Sequence, residues 1–231
     1  MHLPRYRFLD LHHLNPYLLW LLVLPALVTL LGIGHGMESL QMVSVHGADT
    51  LLHQLPYAER QQLRHDHWMR LGQISLTLLM LVFFFACWLY VANRNLIALF
   101  EQVERSLRHS LRLFLHMLAS AFFSLRMMRK LWQHSTPDSH AHQAPAWLVP
   151  LWWTDLIAAN VCKVTAAIKL SHAATVGAWV SGLHWTLGTY VLYLLLYVLT
   201  WQVARKLAWL QRIHWHQRSP LDPASPVAAK A

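Results

Sequence analysis

Two hundred and thirty-one residues are enough for one or two domains. Hydrophobic residues make up 56% of the chain and charged ones only 13%, against roughly a quarter charged in ordinary globular proteins, so there is too little charge to coat a water-facing surface. That excludes a disordered chain, and two cysteines, eight glycines and ten prolines exclude a disulfide scaffold and a collagen-like or low-complexity protein. The formal net charge of +9 would suggest nucleic acid in a soluble protein. No zinc-finger spacing, RNP-type strand or Gly-rich basic tail accompanies it, so the basic residues read as topology signals and contacts to anionic headgroups, with no nucleic-acid partner expected.

The apolar runs predict an all-α membrane protein with four transmembrane helices, over about 17–34, 71–92, 150–170 and 183–204. Span one follows Asn15-Pro16 and carries Trp20; its eighteen uncharged residues just reach across a bilayer that needs about twenty. Arg5 and Arg7 precede it, which raises a signal peptide as the alternative, but no small-x-small cleavage site follows. Span two has no charge and closes on Trp88 and Tyr90, an aromatic belt. The loop between them, 35–70, is expected to fold as one or two short helices. Span three carries Asp155, Lys163 and Lys169; span four is strongly apolar and contains three tyrosines.

Between spans two and three, the segment 95–134 predicts an amphipathic helix pair, in-plane or shallowly re-entrant, at the inner leaflet. Its central apolar run, 113–125, would cover about 20 Å as a helix, well short of the roughly 30 Å hydrocarbon core. Arg105, Arg108 and Arg112 precede that run and Arg126, Arg129 and Lys130 follow it, so both flanks belong on one side, where the six cations would contact anionic lipid headgroups. Lys and Arg number two before span one, seven between spans two and three and five after span four, against three and none in the other two loops. Both termini are therefore expected in the cytoplasm. Residues 1–218 read as a single helical domain, and 219–231, with Pro220, Pro223 and Pro226, as a disordered tail.

Three stretches carry a family resemblance. Trp88-x-Tyr90-x-Ala92-x-x-Asn95-x-x-x-Leu99, then Met128-Arg129-Lys130-Leu131-Trp132-x-x-Ser135-x-Pro137-Asp138, then the pair Trp152-Trp153 together resemble, in order and spacing over about 75–205, the bacterial membrane family catalogued as domain of unknown function 4328. The family usually has Pro and Asn before the Leu-Trp element, whereas Phe114 to Met128 contains neither. The resemblance implies a small multi-span protein of the bacterial cytoplasmic (inner) membrane and supplies no catalytic residues.

Span three holds the polar residues of most interest. At 100° per residue, Asp155, Ala159, Cys162, Ala166 and Lys169 fall within about 40° of one line, a small-residue packing face with charged ends. Lys163 lies about 80° away, near the membrane centre, where an ammonium costs about 2.5–3.5 kcal/mol and has to face protein or water. Asp155, Asn160, Lys163 and Thr165 thus form a candidate polar site, joined by Tyr190, Tyr193 and Tyr197, which step by three and four along span four. The alternative is a structural role, with Lys163 snorkelling or paired and the phenols packed in the core. Of seventeen histidines, His35, His172 and His184 are weak candidates for a metal site at the outer face. No nucleophile elbow, phosphate loop or paired-Cys motif is present, so no catalytic residue, metal or cofactor is assigned. The expected role is a scaffold, sensor or accessory subunit that engages lipids and other membrane proteins or self-associates. The alternatives are a small transporter or channel using Lys163 and Asp155, and a haem- or quinone-linked electron-transfer subunit.

Overall fold

A computed structural model of the chain describes residues 9–11, 15–100, 121–137, 145 and 147–218. Arg105, Arg108, Arg112 and the tail 219–231 lie outside the described residues. The described chain is all-helical: α1 (Asn15–Ser44), a single 3₁₀ turn (Leu52–Gln54), α2 (Tyr57–Phe100), α3 (Ala121–Ser135), α4 (Leu148–Ser171) and α5 (Val176–Arg218). Among the described residues two helices are long and apolar enough to cross a membrane, α1 and residues Val176–Gln217 of α5. In α4 the run is broken by Asp155, Lys163 and Lys169.

The helices overrun the spans read from hydropathy, and for one reason. Apolar residues continue past the uncharged runs and are buried: Val43 in α1, Leu63 in α2, and Leu207 and Leu210 in α5. The expected short helices of the 35–70 loop are therefore the end of α1 and the beginning of α2, with only the 3₁₀ turn between. Helix ends follow local chemistry. Pro16 stands at the second residue of α1, where its missing N–H is lost to no partner. Pro56 directly precedes α2. Thr175 caps α5, its hydroxyl accepting the Ala178 N–H at 3.3 Å. Pro25 sits inside α1, and Thr29 donates to its carbonyl at 2.8 Å.

The contacts divide the chain into two compact units, each drawing on several helices. One comprises the described residues of 21–82 and 154–198. Its core at the loop end is Val43, Leu55, Leu63, Leu170, Val176, Trp179 and Leu183. There the connections zip together through the backbone: Leu52 donates to the Ala174 carbonyl, Val176 to Thr50 and Gly177 to Ala48, each at 2.9 Å. Helices α1 and α5 run close at Gly32, where a Cβ would stand 2.7 Å from Tyr190 Cζ, and α4 meets α5 at Gly182, where a Cβ would stand 2.7 Å from Leu170.

The other unit comprises the described residues of 1–20, 83–153 and 199–231. Trp88, Ala92, Met128, Leu131, Trp132, Val149, Trp152, Leu207 and Leu210 are buried in it. A polar knot runs through this core. Gln211 Nε2 donates to the Ala92 carbonyl and to Ser135 Oγ, both at 3.1 Å, while its Oε1 accepts from Asn95 Nδ2 at 3.2 Å. Asn95 also clamps Leu9, donating to its carbonyl at 2.7 Å and accepting its N–H at 2.9 Å. Trp152 Nε1 donates to Thr200 Oγ1 at 3.0 Å.

Of the segment 95–134, expected as an amphipathic helix pair, only part is described. Residues 95–100 finish α2, 101–120 lie outside the described residues, and 121–134 belong to α3. Met128, Leu131 and Trp132 of α3 are covered by the chain itself, while Arg126, Arg129 and Lys130 are exposed.

Candidate functional site

Asp155 and the three tyrosines all lie in the unit of residues 21–82 and 154–198. Asp155, Ala159 and Ala166 are buried along one face of α4, Cys162 is half-buried and Lys169 exposed. Asp155 is 5% exposed, and its Oδ2 has no hydrogen-bond partner. In antiparallel register with Leu170 against Gly182, fifteen residues back along α4 and fifteen forward along α5 bring Asp155 level with Tyr197. The phenols are buried. Tyr193 and Tyr197 stack with ring centroids 6.5 Å apart, and the Tyr197 hydroxyl lies 3.3 Å from Thr29 Oγ1. The Tyr190 and Tyr193 hydroxyls have no hydrogen-bond partner among the described residues.

The other expected members do not join them by hydrogen bonds. Asn160 Nδ2 donates to the Leu156 carbonyl at 2.7 Å and Thr165 Oγ1 to the Val161 carbonyl at 2.9 Å, so both satisfy themselves on their own helix. Lys163 is half-buried and forms no ion pair with Asp155, eight residues and about 12 Å away along α4. Residues His35, His172 and His184 are not gathered either. His35 lies 3.4 Å from Glu38, His172 Nδ1 lies 2.9 Å from the Ile168 carbonyl of its own helix, and His184 is exposed. Among the described residues no three His, Cys, Asp or Glu side chains come together as a metal would need.

A second polar cluster in the same unit went unrecognised in the sequence, where Arg70 counted only as a loop charge. Arg70 is 3% exposed on α2. Its Nη1 donates to Ser39 Oγ at 3.0 Å, and Ser39 Oγ lies 2.8 Å from Asp66 Oδ2 and 2.9 Å from the His35 carbonyl. The serine has one proton to give, and the carboxylate is the stronger acceptor. Asp66 and Arg70 are one helical turn apart, so Ser39 bridges an i, i+4 pair from the facing helix. Arg70 Nε and Nη2 are buried and have no hydrogen-bond partner among the described residues. Burial pulls the Arg70 guanidinium below its ordinary range, opposed by the Asp66 carboxylate and the Tyr190 phenol. On the same helix His67 packs beside Trp179, ring centroids 5.9 Å apart, and burial, then Arg70, lowers its pKa. The legible signal was the Asp66–Arg70 spacing immediately ahead of an uncharged run.

No protein-family model matches the chain, and no curated protein or solved structure is significantly similar to it.

Proposed function

We propose that this chain is a four-span protein of the bacterial cytoplasmic membrane, with both termini in the cytoplasm. In this reading it works without catalysis, as a scaffold, sensor or accessory subunit that engages lipids and membrane proteins. The observation that carries the reading is the outward exposure of large apolar side chains beside several buried polar ones. Large apolar side chains are exposed on all four long helices: Trp20, Leu24, Leu27 and Leu31 on α1; Leu76, Leu79 and Phe83 on α2; Val161, Val164 and Ile168 on α4; Val191, Leu195 and Val198 on α5. Asn15, Ser39, Arg70, Asn95, Asp155 and Gln211 are buried. Only 28% of the most apolar stretch of α1 is buried, whereas the core helix of a soluble protein hides such a stretch. Soluble monomers rarely expose apolar patches beyond a few hundred Å².

Contacts of α1 with α5 at Gly32–Tyr190 and Thr29–Tyr197 support a retained helix over a cleaved leader. The exposed Arg126, Arg129 and Lys130 of α3 suit an inner-leaflet surface rich in anionic headgroups. Within the unit that holds them, Asn95 of the first family-like stretch and Ser135 of the second meet on Gln211, which supports treating both stretches as one structural device, as a divergent relative of that family would have. A transporter is the second reading, favoured by the buried Asp155 oxygen without a partner.

The test is topological. The full chain should stay in the membrane pellet through carbonate extraction. Green fluorescent protein fused after Ala231 should fluoresce, and alkaline phosphatase fused there should be inactive. Release into the supernatant, or an active phosphatase, overturns the proposal.

A further inference from the structure

The structure assigns to the outward face of the first turns of α2 a docking stripe for an acidic amphipathic helix of a partner protein. At about 100° per residue, Tyr57, Gln61, Arg64 and Trp68 fall within about 60° of one another, with Arg60 on one flank and His65 on the other. The stripe is about 16 Å long. Leu63 and Arg70, both buried, and Asp66, bonded to Ser39 of α1, lie on the opposite side of the helix. Tyr57 is 70% exposed and Trp68 67%, and Arg60, Gln61, Arg64 and His65 are exposed between them. The Tyr57 hydroxyl accepts from Gln61 Nε2 at 2.7 Å. Trp, Tyr and Arg are the residue types that carry most of the binding energy at protein interfaces, and here they share one face.

The charge of the partner follows from where the carboxylates of this stretch point. Residues 57–70 contain two, Glu59 and Asp66. Glu59 Oε2 lies 2.8 Å from His46 Nε2, and Asp66 Oδ2 lies 2.8 Å from Ser39 Oγ, so both are engaged on the packed side. Arg60 and Arg64, about one turn apart, form no ion pair among the described residues. A helix that is merely solvated mixes both signs on its outer face, in pairs three or four residues apart. In α2 the signs are sorted, with cations outward and carboxylates inward. A helix with two carboxylates a turn apart meets both guanidinium groups, and apolar residues at either end of that pair cover Tyr57 and Trp68. A second copy of the same stripe is refused by like charge.

Length decides between a protein and the bilayer, and this step alone rests on the membrane reading, in which span two begins near Leu71. The headgroup layer is about 5–8 Å deep on each side, whereas Arg64, Arg60 and Tyr57 stand about 10, 16 and 21 Å beyond Leu71 along a helix that no proline interrupts. A tilt of about 40° still leaves Tyr57 about 16 Å out. Trp68 alone reaches headgroup depth, so most of the stripe stands clear of lipid.

The experiment uses the full chain in dodecyl maltoside and a dye-labelled helical peptide, read by fluorescence anisotropy. The peptide carries Leu, Glu, Glu and Leu at the spacing of Tyr57, Gln61, Arg64 and Trp68, on an Ala and Gln background. It should bind, and the same peptide with Gln in place of both Glu should bind more weakly. Trp68→Ala should weaken binding about tenfold or more. Arg60→Gln combined with Arg64→Gln should weaken it about threefold or more and remove most of its salt dependence. Arg126→Gln combined with Arg129→Gln, an equal loss of exposed charge from α3, should leave it unchanged. The proposal is overturned if the Glu peptide fails to bind, if the Gln peptide binds as tightly, or if the α3 variant loses as much. A second measurement tests the bilayer as occupant. With Cys87→Ser and Cys162→Ser in place, a bimane label on Arg60→Cys in nanodiscs should escape quenching by brominated phosphatidylcholine; strong quenching gives the stripe to lipid and also overturns the proposal. Peptide binding is read in detergent, so a chain released by carbonate extraction would end the membrane reading and leave the peptide result standing.

Discussion

Replacing Gln211 tests whether the polar knot of the 1–20, 83–153 and 199–231 unit holds that unit together. Its side chain makes three hydrogen bonds of 3.1, 3.1 and 3.2 Å, to the Ala92 carbonyl, Ser135 and Asn95. These lengths are at the long edge of the N–H···O range, so each bond belongs in the lower half of the usual ~0.5–1.5 kcal/mol and the three together contribute about 2 kcal/mol. Gln211→Met keeps the length of the side chain and deletes all three. Asn95 retains its bond to the Leu9 carbonyl, so the stranded groups add no more than about 1 kcal/mol and the total is about 2–3 kcal/mol. Gln211→Ala opens a cavity as well and should reach about 3–5 kcal/mol. For a chain of this size each kcal/mol lowers Tm by about 2–4 °C, so Gln211→Met should melt about 4–12 °C below wild type in detergent. Differential scanning fluorimetry of the purified variants measures it. A Gln211→Met protein within about 1 °C of wild type would show that the knot merely fills space, because one bond alone should move Tm further than that.

Two further outcomes test the 21–82 and 154–198 unit. Gly32→Val places a branched side chain where a Cβ already meets Tyr190 at 2.7 Å, and should destabilise by about 1–3 kcal/mol. Gly34→Val, with nothing within 4 Å of its Cβ, is the control and should melt near wild type; equal losses would refute the close approach. His67 has a folded pKa below its ordinary 6.5, through burial first and Arg70 second. Its unfolded form therefore binds the proton first, and its contribution to stability is full above about 6.5 and lost as pH falls toward the folded value. His67→Gln should flatten the fall of Tm between pH 7.5 and 5.5, and identical slopes in both proteins would sink the assignment.

Helix content was legible in the sequence because uncharged runs and their three- and four-residue steps need no partner to be seen. Ends were less legible. Hydropathy stops at the first charge, yet Val43, Leu63 and Leu207 extend the buried faces beyond it. The packing of α3 was not legible for a related reason. A basic, amphipathic face looks the same in sequence whether its apolar side meets lipid or protein, and the burial of Met128, Leu131 and Trp132 against the chain shows only in the structure. Asp155 was found because a carboxylate in an apolar run is conspicuous. Arg70 was missed because it stands at the border of such a run, where a cation ordinarily marks the end of a span. What makes Arg70 exceptional is Ser39, thirty-one residues earlier, and no local pattern joins the two.

The polar side chains, more than the apolar ones, indicate which solvent the helices were shaped for. In water Arg70 would gain several kcal/mol by turning outward, because an ion leaving bulk solvent forfeits its hydration and one serine returns little of it. Its neighbours Trp68 and Met69 are the ones turned outward instead, as are Leu76 and Leu79 further along α2. Facing lipid chains, the balance shifts: hydrocarbon offers an arginine no better solvation than the inward direction, and the apolar residues prefer it. On that account Arg70→Leu should be tolerated in folding better than Leu79→Arg, although it is the more drastic loss of buried hydrogen bonding. Expression of both variants in membranes, quantified by fluorescence-detected size exclusion, gives the comparison, and the opposite order would mean that α2 folds against water.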